Sequence, residues 1–177
     1  MKLTYSIPNK LYYIQNFLDY PTYKKLHYDV FKSKLVNLKS TEKKWQNLLT
    51  HGHKNFVKHT ELDVKYKPLQ KIKILLENNQ FCKIKFKNHL PVLHSMKDGS
   101  GINWHDDYNY KYGITYYINR RWNNKFGGEF LFTDKNVNGF IPLVGNSLVI
   151  VKSPLHHKVV SVLKPLVPRK TIQMFIQ

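Results

Sequence analysis

The sequence predicts an α+β protein in which helices lead and an all-β second half of short strands folds as a sandwich or jelly roll. Three observations carry this. Apolar residues recur at helical spacing in two segments before residue 80. From residue 81 onward, short β-branched and aromatic runs alternate with glycine- and asparagine-rich turns. No repeat, low-complexity tract or linker divides the 177 residues, so they read as one domain, with residues 1–80 supporting a core of residues 81–177.

The first strand falls at residues 12–18, aromatic and β-branched. Asp19 and Pro21 then open a helix whose buried face is Tyr23, Leu26, Val30, Phe31 and Leu35. A second helix starts near Pro68, turns Leu69, Ile72 and Leu76 inward and ends at Asn78-Asn79. Residues 39–61, between the helices, are polar and irregular and contain Trp45 and His51-Gly52-His53. No carboxylate follows that histidine pair at a useful distance, so it reads as exposed loop, in a segment suited to folding over a site. Strands follow near 82–86, 92–95, 102–107, 114–119, 129–133, 147–151, 157–162 and 171–176. Turns separate them at residues 97–101, Gly127-Gly128, Asn138-Gly139 and residues 144–146. The helices should cover one outer sheet face.

Composition narrows the class. Hydrophobic residues make up 42% and aromatics 14%, which excludes a disordered chain. No apolar run approaches a membrane span, and the N-terminus lacks the apolar core of a signal peptide. A single cysteine, Cys82, excludes an internal disulfide and fits a reducing, cytoplasmic compartment. The formal charge of +18 invites a nucleic-acid partner. Its lysines are spread along the chain, however, alongside abundant Asn, Ile and Tyr, which favours a compositional origin.

The chemistry concentrates in a few residues. His105 and Asp107 are two apart, and in an extended strand they point to one face while Asp106 points away. A further histidine from a neighbouring strand completes two imidazoles and one carboxylate, a set that leaves adjacent coordination positions open, as non-haem Fe(II) oxygenases require. His156 and His157 both offer that ligand. Arg169 is one of only three arginines.

The second half, from about residue 90, resembles the 2-oxoglutarate- and Fe(II)-dependent oxygenases, and among them the prolyl 4-hydroxylase-like group. The resemblance rests on five segments in order. They are Gly101-Ile102-Asn103-Trp104-His105-Asp106-Asp107; Thr115-Tyr116-Tyr117-Ile118-Asn119 with Trp122 and Phe126-Gly127-Gly128-Glu129-Phe130; residues 142–151; His157-Lys158-Val159-Val160-Ser161-Val162; and Arg169-Lys170-Thr171-Ile172. His-x-Asp alone is weak, whereas the ordered set is strong.

The resemblance implies a double-stranded β-helix (jelly-roll, cupin-like) core with N-terminal helices packed on one sheet. It implies Fe(II), 2-oxoglutarate and O2 as cofactors, with ascorbate as an optional addition. Its valine register selects His157 over His156, so His105, Asp107 and His157 become the metal-binding catalytic set. Arg169 and Tyr117 become the binding residues for the far carboxylate of 2-oxoglutarate. Gly127 and Gly128 suit a tight turn near the site. One departure stands out: many of these enzymes carry a co-substrate-contacting tyrosine ten residues before the first ligand histidine, where this chain has Ser95.

The implied activity is hydroxylation of an unactivated C–H bond with release of succinate and CO2, on a peptide or protein substrate such as a peptidyl proline. Two alternatives remain. A nucleic-acid-modifying oxygenase suits the charge, but the second arginine usual in alkylation-repair enzymes is missing after Arg169. A non-catalytic basic binding module on a jelly roll predicts salt-sensitive nucleic-acid binding that survives loss of His105 and Asp107.

Overall fold

The computed structural model describes residues 1–32, 39–40, 47–50, 57–82, 84–86, 89, 91–135 and 137–177, with backbone alone at 39–40 and 47–48. Trp45, His51, His53 and Leu35 lie outside the described residues. Twelve strands are β1 Lys2–Ile7, β2 Leu11–Gln15, β3 Lys39–Ser40, β4 Val57–Glu61, β5 Val92–Met96, β6 Ile102–His105, β7 Tyr112–Tyr117, β8 Phe130–Asp134, β9 Val137–Ile141, β10 Ser147–Lys152, β11 His156–Val159 and β12 Arg169–Ile176. The α-helices among the described residues are α1 Tyr20–Lys32, the short α2 Asn47–Thr50 and α3 Lys67–Glu77.

The strands form two antiparallel sheets, a large one in the order β1-β2-β10-β7-β12-β5-β4-β3 and a small one in the order β6-β11-β8-β9. This is the double-stranded β-helix expected from the resemblance. The N-terminal strands extend the large sheet at both of its ends.

Local chemistry explains the helices. Asp19 caps α1 by accepting from the Thr22 amide at 3.0 Å, and that bond holds its carboxyl below the usual range. Pro68 sits in the first turn of α3, where a missing N–H costs nothing, and the Asn78 side chain closes the far end by donating to Ile74 O. Tyr23, Leu26 and Val30 of α1 and Leu69, Ile72 and Leu76 of α3 are buried, as their spacing predicts. They pack on one face of the large sheet against Ile14, Tyr116, Leu148, Ile150, Ile172 and Met174.

The opposite face of that sheet meets the small sheet through two further clusters, one around Tyr13, Tyr117 and Phe132, the other around Val57, Met96 and Val162. The site lies in this second layer. One expected strand does not form: the described residues of 82–86 join no ladder, although Ile84 and Phe86 are buried in the helix-side core. Their apolar character serves packing rather than pairing.

Candidate active site

His105, the last residue of β6, and His157, the second of β11, are direct partners across an antiparallel pair, with ring centroids 4.3 Å apart. Asp107 stands beyond the end of β6 rather than within it, so the neighbouring loop, not strand alternation alone, brings its carboxylate round. Its oxygens reach 3.9 Å from His105 Nε2 and 3.6 Å from His157 Nε2, and one ligand atom from each of the three residues falls within 4.8 Å of the others. Asp106 is outside this set. His156 is exposed, and its ring lies tilted against that of Trp104, also on the outer face, with centroids 5.3 Å apart.

The backbone prepares both imidazoles. Nδ1 of His105 lies 2.7 Å from Asn103 O, and Nδ1 of His157 lies 2.7 Å from Leu155 O. A carbonyl only accepts, so each Nδ1 carries the proton and each Nε2 keeps its lone pair for a ligand. Burial, and then the neighbouring His105, push the His157 pKa down, which favours the neutral, coordinating form. The carboxylate has room because β7 carries no side chain opposite it: a Cβ on Gly113 would come 2.5 Å from Asp107 Oδ2. Two imidazoles and one carboxylate on one side fit a divalent transition metal with open positions.

A cavity of about 210 Å³ runs from these three residues to Arg169. Arg169 is only 2% exposed; its Nε donates to Gly128 O at 3.0 Å, and Nη1 lies 3.2 Å from Met96 Sδ. Among the described residues it forms no ion pair, and burial lowers its pKa. Motif residues hold it in place. The Asn119 side chain donates to Pro168 O and accepts from Lys170 N, bracketing Arg169 on both sides. Trp122 donates to Gly127 O, fixing the turn in which Gly127 and Gly128 adopt φ of 65° and 81°. A Cβ on Gly128 would come 2.9 Å from Arg169 Cδ, so a close approach as well as a turn requires glycine there.

The guanidinium carbon sits 5.4 Å from the ring centre of Tyr117. The Tyr117 hydroxyl makes no well-aligned hydrogen bond, nor does Thr171 Oγ1, its cross-strand neighbour, and both atoms are buried. Burial pushes the Tyr117 pKa up to about 12, against the pull of Arg169, so the phenol keeps its proton. A buried cation with no ion-pair partner among the described residues, beside two buried hydroxyls that make no well-aligned hydrogen bond, is the donor set that a carboxylate satisfies. These residues therefore fit 2-oxoglutarate, as the three ligand residues fit its metal.

Strand direction revises the departure at Ser95. On β5, Val92 and His94 line the cavity and Met96 meets Arg169, whereas Ser95 alternates to the other face. Sequence reasoning missed His94, together with His59, Gly113 and the clamp made by Asn119. Only the alternation along β5 could have exposed His94, and Asn119 lay within a motif without an assigned role.

The class is now defined: residues 91–177 match the family model of the 2OG-Fe(II) oxygenase superfamily, and this part of the chain belongs to it. Its cofactors are accordingly Fe(II), 2-oxoglutarate and O2. Among solved structures, a prolyl-4-hydroxylase from Pseudomonas putida is similar at 12% identity and TM-score 0.72, covering 95% of this chain and 92% of its own. A Trichoplax adhaerens prolyl hydroxylase, solved with a hypoxia inducible factor oxygen degradation domain peptide fragment, gives 16%, 0.68, 94% and 83%. The viral collagen prolyl hydroxylase of Paramecium Bursaria Chlorella virus-1, solved as a 2OG complex, gives 12%, 0.62, 95% and 97%. Likeness at such identities establishes the fold and carries no substrate. Among the curated proteins none matches the chain.

Proposed function

We propose that residues 1–177 act as one oxygenase domain that hydroxylates an unactivated C–H bond of a peptidyl proline or similar side chain, releasing succinate and CO2. The observation that carries this is one cavity lined both by the His105–Asp107–His157 group and by the buried Arg169, beside which the Tyr117 and Thr171 hydroxyls are buried. Fe(II), 2-oxoglutarate and O2 supply the oxidising power when bound. The chain's own residues bind and orient. His105, Asp107 and His157 hold the metal through Nε2, a carboxylate oxygen and Nε2. Arg169 would take the far carboxylate, and the Tyr117 and Thr171 hydroxyls would donate to it. Burial of this end excludes water, so each of these bonds counts for more than it would in solvent.

Purified protein with Fe(II) and 2-oxoglutarate should release succinate faster with a proline-rich peptide, and His157→Ala should abolish this. Succinate release stimulated by methylated single-stranded DNA and not by peptide would transfer the activity to nucleic acid, the partner that the +18 charge invites. No succinate under any condition would refute an oxygenase.

A further inference from the structure

The inner face of the large sheet carries a row of polar side chains that the ligand residues do not account for. Tyr117 on β7 is the cross-strand partner of Thr171 on β12, Thr171 of His94 on β5, and His94 of His59 on β4. Direct partners in antiparallel strands share a face, so the four side chains stand in line. All are buried, at 0%, 0%, 6% and 7% exposure. At one end of this row the Tyr117 and Thr171 hydroxyls are buried without a well-aligned hydrogen bond, so a polar ligand suits them. The first two flank Arg169. The other two, His94 and His59, line the same cavity.

We propose that His94, backed by His59, is a further binding residue for the dicarboxylate co-substrate, giving it an uncharged hydrogen bond from β5. This rests on the reading of the cavity as a 2-oxoglutarate site. Charge balance explains why an imidazole suits the position. A divalent metal and Arg169, less Asp107, leave two positive charges in the cavity, which the two carboxylates of 2-oxoglutarate neutralise. Another cation would be buried uncompensated, whereas a neutral imidazole offers an N–H without adding charge. Burial, and then the charges of His59 and Arg169, keep His94 in that neutral form. An imidazole has two nitrogen edges, so the fold can hold one while the other faces the cavity.

The test is calorimetric titration of Mn(II)-loaded protein with 2-oxoglutarate, alongside separate titration with Mn(II). His94→Leu should weaken 2-oxoglutarate binding by roughly ten- to a hundredfold, the range for a hydrogen bond to a charged group. His94→Gln, which keeps a donor, should stay within about threefold of wild type, and Mn(II) affinity should be unchanged in both. Wild-type affinity for 2-oxoglutarate in His94→Leu overturns the proposal. Equal weakening in both variants, or lost Mn(II) binding, also overturns it by showing a merely structural role. Arg169→Met separates the two layers of argument: if it binds 2-oxoglutarate like wild type, or if wild type does not bind it at all, the co-substrate reading of the cavity falls as well.

Discussion

Replacing Arg169 by methionine should make the ligand-free protein more stable and insensitive to 2-oxoglutarate. Arg169 is 2% exposed, donates to Gly128 O and more weakly to Met96 Sδ, and has no ion-pair partner among the described residues. Burying an unpaired charge costs several kcal/mol after relaxation, and a methionine removes that cost while filling much of the same volume. Against this stands the lost bond to Gly128 O, about 1.5–3 kcal/mol. The net gain is about 1–3 kcal/mol, which raises Tm by about 2–12 °C for a chain of this length. Wild type loaded with Mn(II) should gain about 2.7 kcal/mol more at a 2-oxoglutarate concentration a hundred times Kd, and Arg169→Met nothing. Thermal melts with and without 2-oxoglutarate measure both effects. An Arg169→Met melt below that of wild type, or one still raised by 2-oxoglutarate, refutes the reading of Arg169 as a cation awaiting its carboxylate.

Gly113→Ala should leave the fold intact while metal affinity drops at least about tenfold, since the Asp107 carboxylate can swing aside cheaply but not keep its place; unchanged Mn(II) titration would contradict this. Asn146→Ala should cost about 2–4 kcal/mol in urea unfolding. The Asn146 side chain, 8% exposed, pairs with the Leu18 amide and carbonyl and with the Tyr116 hydroxyl, and its backbone φ of 59° favours asparagine. Stability of the metal-free protein should also fall with acid. His94 has a folded pKa of about 3 against 6.5, so below pH 6.5 the unfolded chain takes up a proton that the folded chain does not. The loss is about 2 kcal/mol at pH 5 from this residue, and His94→Gln should flatten the slope between pH 6.5 and 4.

Much of the fold was legible where one side chain pattern had one cause. The helices announced themselves through Leu26, Val30, Ile72 and Leu76, all buried as their spacing requires. Strand β9 left no such trace, because only Ile141 of its five residues is buried and alternation never develops. Strand β4, Val-Lys-His-Thr-Glu, reads as polar loop, yet two of its residues, Val57 and His59, are buried through pairing with β5. The ligand residues were visible as an ordered motif. The company they keep was not, since His59 joins His94 and Thr171 only through strand order, and strand order is a long-range outcome of folding. Gly113 was equally silent: its meaning is the space it leaves for a carboxylate six residues earlier in the chain.

The large sheet divides labour by parity, and β12 shows it most clearly. Its odd positions, Arg169, Thr171, Gln173 and Phe175, look into the site layer; its even positions, Ile172, Met174 and Ile176, belong to the helix-side core, where Lys170 also holds Val30 O of α1. One eight-residue strand thus carries two independent inheritances. Variation at even positions acts on the core beneath the helices, whereas variation at odd positions acts on the lining of the site. At Arg169 the two meet, because the charge that waits for a ligand is also a burden on the empty fold.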